Sequence, residues 1–413
     1  MPVGSSGDVH PFVGLGLALR RRGHAVTVMT NEHFRGRIER VGLSFIELGS
    51  AEKYAEILTD PDLWHPTRSL QTIFGKFMPD LIRQQYDLLA EHATADSLVL
   101  AGSLALGARI AQEKLGVRLI SVHLQPAVLR SCVAPPMLGP VALPRWLPAW
   151  FVRGYYGFLD RAIVDPIIRP TVEPLRSELQ LPRARGYFGD WWNSPEGILC
   201  LFPEWFAPAP DYPSQTRFAG FPLYDERVDD ALPGDVQQFL AAGPPPIVAT
   251  FGSGMRLGAP YFAAVAEACR RLGRRGLLLT PFREQIPPSL PDGVRHFDYV
   301  PLGLLLPHAA ALVHHGGIGT CAQGLAAGVP QVVMPLAFDQ PDNARRLRQL
   351  GVGATLKPKK FTGAALARTL ARLWADARTM PACAAVSQKL RHDDAIERAC
   401  RIVESQKPRE RVA

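Results

Sequence analysis

The 413-residue chain contains no uncharged apolar run of about 18 residues, the length a helix needs to cross a bilayer. It also shows no N-terminal leader of the basic, apolar and small-residue type. Both absences lead us to expect a cytoplasmic protein. The six cysteines (Cys132, Cys200, Cys269, Cys321, Cys383, Cys400) form no CxxC pair and no metal spacing, so they read as reduced, mostly buried thiols. Lys and Arg are scattered apart from the tail (Lys407, Arg409, Arg411). No basic stripe is interleaved with aromatics, and a nucleic-acid partner is not expected. A GxGxxG turn after the first strand is missing: Gly4, Gly7, Gly14 and Gly16 have the wrong spacing, and no acid stands before Glu32 at the end of the second strand. That argues against a dinucleotide oxidoreductase. What is present is a well-packed composition, 47% apolar and 20% charged, with a net charge of +8 that suits an anionic ligand or an acidic membrane surface.

The length calls for two domains. Met1-Pro2-Val3 passes directly into the turn Gly4-Ser5-Ser6-Gly7, so either the first strand is very short or the encoded start lies inside a longer gene. A helix (Pro11 to Arg22), a strand (Ala25 to Thr30), a helix (Phe34 to Val41) and a strand (Leu43 to Leu48) then alternate. Ser97 to Leu100, Ala105 to Leu115 and Leu119 to His123 continue the alternation, which is that of a doubly wound parallel sheet. Residues 135–158 break it with prolines and the cluster Trp146, Trp150, Phe151, Tyr155, Tyr156 and Phe158. The expected organisation is an N-terminal domain over 1–212, a linker over 213–243 rich in Pro, Gly and Asp, a second α/β domain over 244–390, and a terminal helical segment over 391–413.

Chemistry concentrates at three turns. Asp8, in GSSGDVHPF, stands where a strand becomes a helix, at the sheet edge where such folds bind ligands. It reads either as a general base for a hydroxyl or as a helix cap, and His10 is a second candidate base. Ser253 and Gly254, after the strand Ile247 to Phe251, read either as phosphate donors or as an ordinary strand-to-helix turn. The third turn is LVHHGGIGTCAQGLAAGVPQVVMPLAFDQPDN, residues 312–343. It reads as a strand, a glycine turn, a helix, a strand and a polar loop. Glycines and a helix N-terminus suit a diphosphate. His315 can donate to it, and Asp339 and Gln340 suit sugar hydroxyls. The residues therefore describe a nucleotide-sugar site. The two histidines have no third ligand at useful spacing for a metal. A sugar-nucleotide epimerase shares this architecture and stays open at this point.

These motifs, HHGGIGT…AAGVPQVVMPLAFDQPDNA and GSSGDVHPF, resemble the donor and acceptor signatures of family 1 glycosyltransferases of the GT-B fold. The likeness extends to the catalytic rhamnosyltransferase subunit of bacterial rhamnolipid synthesis over DPDLWHP, GSLALGARIAQEKLG, SPEGILCLFPEWFAP and GFPLYD. The resemblance implies an α/β protein of two Rossmann-like doubly wound domains facing a cleft, with a C-terminal helix crossing back to the first. It implies an inverting transfer to a hydroxyl that uses no metal and no cofactor. Asp8 falls on the catalytic-base position. His315, Gly317, Gly319 and Thr320 fall on the diphosphate site, Asp339 and Gln340 on the sugar site, and Tyr299 on the base-stacking position beside Val300. Leu302 and Gln323 depart from the nucleotide-binding pattern, which leaves uridine and deoxythymidine donors both open. Ser6, His123, Trp146, Trp150 and Phe151 are placed on the acceptor side. Rhamnosyl and glucosyl donors, a lipophilic hydroxyl acceptor and peripheral contact with the inner membrane face are the expected partners. A sterol or natural-product glucosyltransferase and a non-catalytic relative are the alternatives.

Overall fold

The computed structural model describes residues 1–65, 67–137, 142–224, 231–252, 254–391 and 393–406. The chain divides into two compact units, Met1–Pro222 with Asp394–Ala413, and Leu223–Asp393.

The second unit holds six parallel strands, β7 (Ile247–Thr250), β8 (Gly276–Leu279), β9 (Val294–Phe297), β10 (Ala311–His314), β11 (Gln331–Val333) and β12 (Gly353–Thr355). They lie in the order β12-β11-β10-β7-β8-β9. The central strands are mostly apolar because helices cover both faces. Ala249, Val313 and Val332 pack with Phe262, Val265 and Leu366 on one side. Val248, Leu277 and Leu312 pack with Phe239 and Leu305 on the other. The chain runs outward from β7 to β9, then returns to lay β10 on the opposite flank of β7. The sheet thus reverses its order between β7 and β10, where doubly wound sheets open a crevice at their carboxyl ends.

The first unit holds a pair, β1 (Thr27–Thr30) with β2 (Ser44–Glu47), and a separate parallel sheet of β3 (Leu98–Gly102), β4 (Arg118–His123), β5 (Ile198–Cys200) and β6 (Thr216–Phe218). Strand β6 lies within the segment read from sequence as linker, and the first unit continues to Pro222. Met1 flanks β3 through two bonds: its amino group donates to Leu100 O at 2.7 Å, and its carbonyl accepts from Gly102 N at 3.0 Å. The region expected only to break the pattern contains the helix Ala149–Leu159, and a helix with Pro170 and Pro174 inside it runs over Asp165–Glu178. The terminal helix Ala395–Glu404 packs on the first helix, Ser6–Arg21. Ala395, Ala399, Cys400 and Val403 are its buried face. Arg22 binds Glu404 and Glu397 at 2.6 and 2.8 Å.

Candidate active site

Each unit gathers polar groups at the carboxyl edge of its own sheet. In the second unit, His315 follows β10 at the point of order reversal. Its ring lies against Gly252, the residue two beyond β7: a Cβ added at Gly252 would stand 3.0 Å from the His315 ring, and one at Gly317 2.7 Å from Nε2. Both glycines leave room for the imidazole to fill the crevice. Gly316 adopts φ +97°, and a Cβ there would meet Val333 Cγ1 at 2.7 Å, so no other residue fits that turn without displacement. The helix Ile318–Ala327 starts at Gly317 with no side chain capping it. Its first bond runs from Cys321 N to Gly317 O at 3.0 Å. The N–H groups of Ile318, Gly319 and Thr320 precede that bond and face outward from the helix end. His315 is buried with Nδ1 unpartnered, and burial pushes the imidazole down to about 4, so the ring is neutral near pH 7. An oxyanion beside this turn would satisfy the orphan ring nitrogen and the helix N-terminus together. His314 is fully buried and accepts from Gly316 N through Nδ1 at 3.2 Å. It belongs to the turn's framework.

The loop after β11 is locked to the same turn. Asn343 donates through Nδ2 to Gly316 O at 2.9 Å and to Asp339 Oδ2 at 2.6 Å. Asp339 ends this loop as the residue before the helix Gln340–Gln349. Gln340 is buried, and its Oε1 accepts from Leu336 N at 2.7 Å and Ala337 N at 3.2 Å. The sequence offers Gln340 only as a sugar ligand. The structure also makes its carbonyl the organiser of the loop, and leaves the amide NH2 to donate. Tyr299 is exposed and Val300 buried on the loop after β9, and Gln323 is buried on the second turn of the helix Ile318–Ala327. Gly254 is buried, and Ser253 lies outside the described residues.

In the first unit Asp8 occupies the first turn of the helix Ser6–Arg21. Its Oδ2 accepts from Ser5 N at 2.7 Å and Ser5 Oγ at 3.0 Å, closing a capping box. A Cβ at Gly4 would fall 2.3 Å from that same oxygen, which is why the turn carries glycine there. Burial raises the Asp8 carboxyl above its ordinary value, and the two bonds from Ser5 offset part of the rise. Capping engages one carboxylate oxygen and leaves Oδ1 to meet a hydroxyl, so the two sequence readings of Asp8 are compatible. His10 is partly buried two residues on. Ser6 is buried, with Arg37 Nη1 at 3.5 Å from its hydroxyl.

The other residues read from sequence as acceptor-side divide between the interior and the surface. His123 is sealed beneath the sheet edge: Nε2 meets Asn193 Oδ1 at 2.7 Å, Nδ1 meets Ser103 Oγ at 3.2 Å, and Trp192 lies against the ring. Asn193 Nδ2 donates to Gly189 O at 3.0 Å, which turns its carbonyl toward His123 and fixes the proton on Nε2. Ser103 and Asn193 carry no local sequence signal, being joined to His123 only by the fold. Trp146, Trp150 and Phe151 are exposed on and before the helix Ala149–Leu159, while Val152 and Tyr156 form its buried face. Among the described residues no three His, Cys, Asp or Glu side chains cluster as a metal site would require.

Residues 1–133 match the glycosyltransferase family 28 N-terminal domain, and residues 282–405 the erythromycin biosynthesis protein CIII-like C-terminal domain. An uncharacterised glycosyltransferase of Mycobacterium tuberculosis is 31% identical over 403 residues, covering 91% of this chain and 89% of that protein. The O-mycaminosyltylonolide 6-deoxyallosyltransferase of Streptomyces fradiae is 29% identical, covering 98% and 96%. Among solved structures, the kitacinnamycin glycotransferase superposes with a TM-score of 0.74 at 21% identity, covering 98% of this chain and 97% of that one. The spinosyn rhamnosyltransferase complexed with thymidine diphosphate superposes with 0.69 at 19%, covering 98% and 100%. The relatives, the two domain matches and the two α/β units with parallel sheets agree: the chain belongs to the family 1 glycosyltransferases and has the GT-B fold.

Proposed function

We propose that the protein is an inverting, metal-independent hexosyltransferase that moves a rhamnosyl or glucosyl group from a nucleoside-diphosphate sugar to a hydroxyl of a lipophilic small molecule, such as a hydroxyalkanoyloxyalkanoate lipid. The observation that carries this reading is the orphan Nδ1 of His315 beside an uncapped helix N-terminus, at the reversal point of the second sheet. In this reading those donors hold the diphosphate and stabilise it as it leaves. Asp339 and the Gln340 amide hold sugar hydroxyls, and Tyr299 stacks on the base. Asp8 accepts the proton of the acceptor hydroxyl as its oxygen bonds to the anomeric carbon. Peripheral contact with the inner membrane face accompanies a lipophilic acceptor.

A natural-product or sterol glucosyltransferase is the second reading, favoured by the macrolide-type relative. Thermal stabilisation by UDP, dTDP, UDP-glucose and dTDP-rhamnose, followed by transfer assays on lipid and macrolide acceptors, decides between the two. Stabilisation by none of the four would defeat both. Stabilisation without hydrolysis or transfer would point to a non-catalytic nucleotide-sugar-binding relative.

A further inference from the structure

The chain from Arg145 to Ile163 carries its largest apolar side chains on the outside. Trp146 is 80% exposed, Trp150 75%, Phe158 63%, Ile163 47% and Phe151 44%. These are five of the 11 large apolar side chains exposed among the described residues, so the exposure is a patch and not the usual scatter. The helix Ala149–Leu159 buries only Val152 and Tyr156, with the Tyr156 hydroxyl donating to Ser131 O at 3.2 Å. Trp150, Gly154 and Phe158 recur at every fourth position and form a stripe on the outer side, with Phe151 at its edge.

The exposed charges on this segment have one sign. Arg145, Arg153 and Arg161 are exposed. Of the acids nearby, Asp160 is held bidentately by Arg130 at 2.6 and 2.7 Å. Asp165 is buried and accepts from Gly186 N and Tyr187 N. Neither acid is left to balance the outer arginines.

We infer that this face seats on an anionic lipid surface, with Trp146, Trp150, Phe151 and Phe158 at headgroup depth and Arg145, Arg153 and Arg161 against lipid phosphates. Tryptophan and arginine on one helix face are what a bilayer interface selects: the rings tolerate the half-wet region and the guanidinium groups meet the charge. A second copy fits less well, because a two-fold pairing would bring the arginines of both copies together. No helix among the described residues is long and apolar enough to cross a membrane, so the contact is peripheral. The inference deepens the membrane contact proposed above and rests on it alone, not on the identity of the acceptor.

The test uses the full chain, without donor or acceptor, sedimented with vesicles of phosphatidylcholine or of phosphatidylcholine mixed with phosphatidylglycerol. The protein is expected to sediment with the anionic vesicles, less so as salt rises, and its tryptophan emission to shift to the blue. The triple variant Trp146→Ser, Trp150→Ser, Phe158→Ser is expected to lower the partition coefficient by roughly tenfold per ring. The variant Arg145→Gln, Arg153→Gln, Arg161→Gln is expected to lower it about fivefold per arginine. Both variants should keep the wild-type melting temperature and nucleotide-induced stabilisation, since all six side chains lie outside the core. Three results would overturn the inference: wild-type protein that stays in solution with anionic vesicles, variants that bind them equally well, or a self-association that the aromatic variant abolishes. Loss of nucleotide stabilisation in the wild type would instead count against the transferase reading and leave lipid binding untouched.

Discussion

Under the proposed function two side chains carry double duty, and substitutions can separate the duties. Asp8 caps the first helix through Oδ2 and in that reading offers its other oxygen to a hydroxyl. Asp8→Asn keeps a carbonyl for Ser5 N, so the fold and donor binding should survive while turnover falls by about 10²–10⁴, the range of general-base catalysis. Single-turnover rates with nucleotide affinity measured in parallel check this, and equal loss of both would remove the base role. Because burial raises the Asp8 carboxyl, the acid limb of kcat/KM should lie above the ordinary value of 3.8. Gln340 is the second case. Gln340→Glu retains an oxygen for Leu336 N and Ala337 N but loses the NH2 donor. It should weaken donor binding with little change in melting temperature, whereas Gln340→Ala should lower both by leaving two N–H groups unpaired. Calorimetry and nucleotide-sugar titration on the pair of variants distinguish the two roles.

At the level of elements, the uncapped helix Ile318–Ala327 works only while its turn is held, and Asn343 holds it from the neighbouring loop. Asn343→Ala breaks the bonds to Gly316 O and Asp339 Oδ2 and should cost about 2 kcal/mol of stability, with donor affinity falling as well, measured by denaturant unfolding and nucleotide titration. The terminal helix Ala395–Glu404 is anchored on the first helix by a small-residue face, and Ala399 is fully buried there. Ala399→Glu would bury an unpaired charge. It should release the helix, seen as faster proteolysis after the second unit and a melting temperature lower by several degrees.

For the molecule as a whole, three buried histidines contribute to the response to acid. Burial holds His123 and His315 down to about 4 and His314 to about 3, against an ordinary 6.5. Each takes up a proton more readily unfolded than folded, so the unfolded chain binds more protons between pH 6.5 and about 4. Their contribution to stability is therefore full above pH 6.5 and falls as the pH drops through that window, by about 1.4 kcal/mol per pH unit for each histidine. Asp8, raised by burial, acts with the opposite sign. Melting temperatures between neutral pH and pH 4 check the direction, and a flat profile would mean these rings are not held neutral. The strands β7, β10 and β11 are legible in the sequence because apolar residues buried on both faces leave short runs (Ile247–Ala249, Ala311–Val313, Val332–Met334). Strands β6 (Thr-Arg-Phe) and β12 (Gly-Ala-Thr) escape it, because neither carries a run of apolar, β-branched residues. The aromatic cluster at Trp146–Phe158 is legible as unusual, but composition is the same for a wall, a core and a surface, and only burial separates them.

The sequence by itself determined the alternation of strands and helices, the glycine turns and the polar groups at their ends, and with them the fold class and the kind of ligand. These are local properties, written in neighbouring residues. Only the tertiary structure decided that β10 lies beside β7, so that His315 fills the space above Gly252, that Asn343 ties one loop to another, and that Ser103, His123 and Asn193 form one chain. Strand order is set by how whole helices cover both faces of a sheet, a choice that no single stretch of residues encodes.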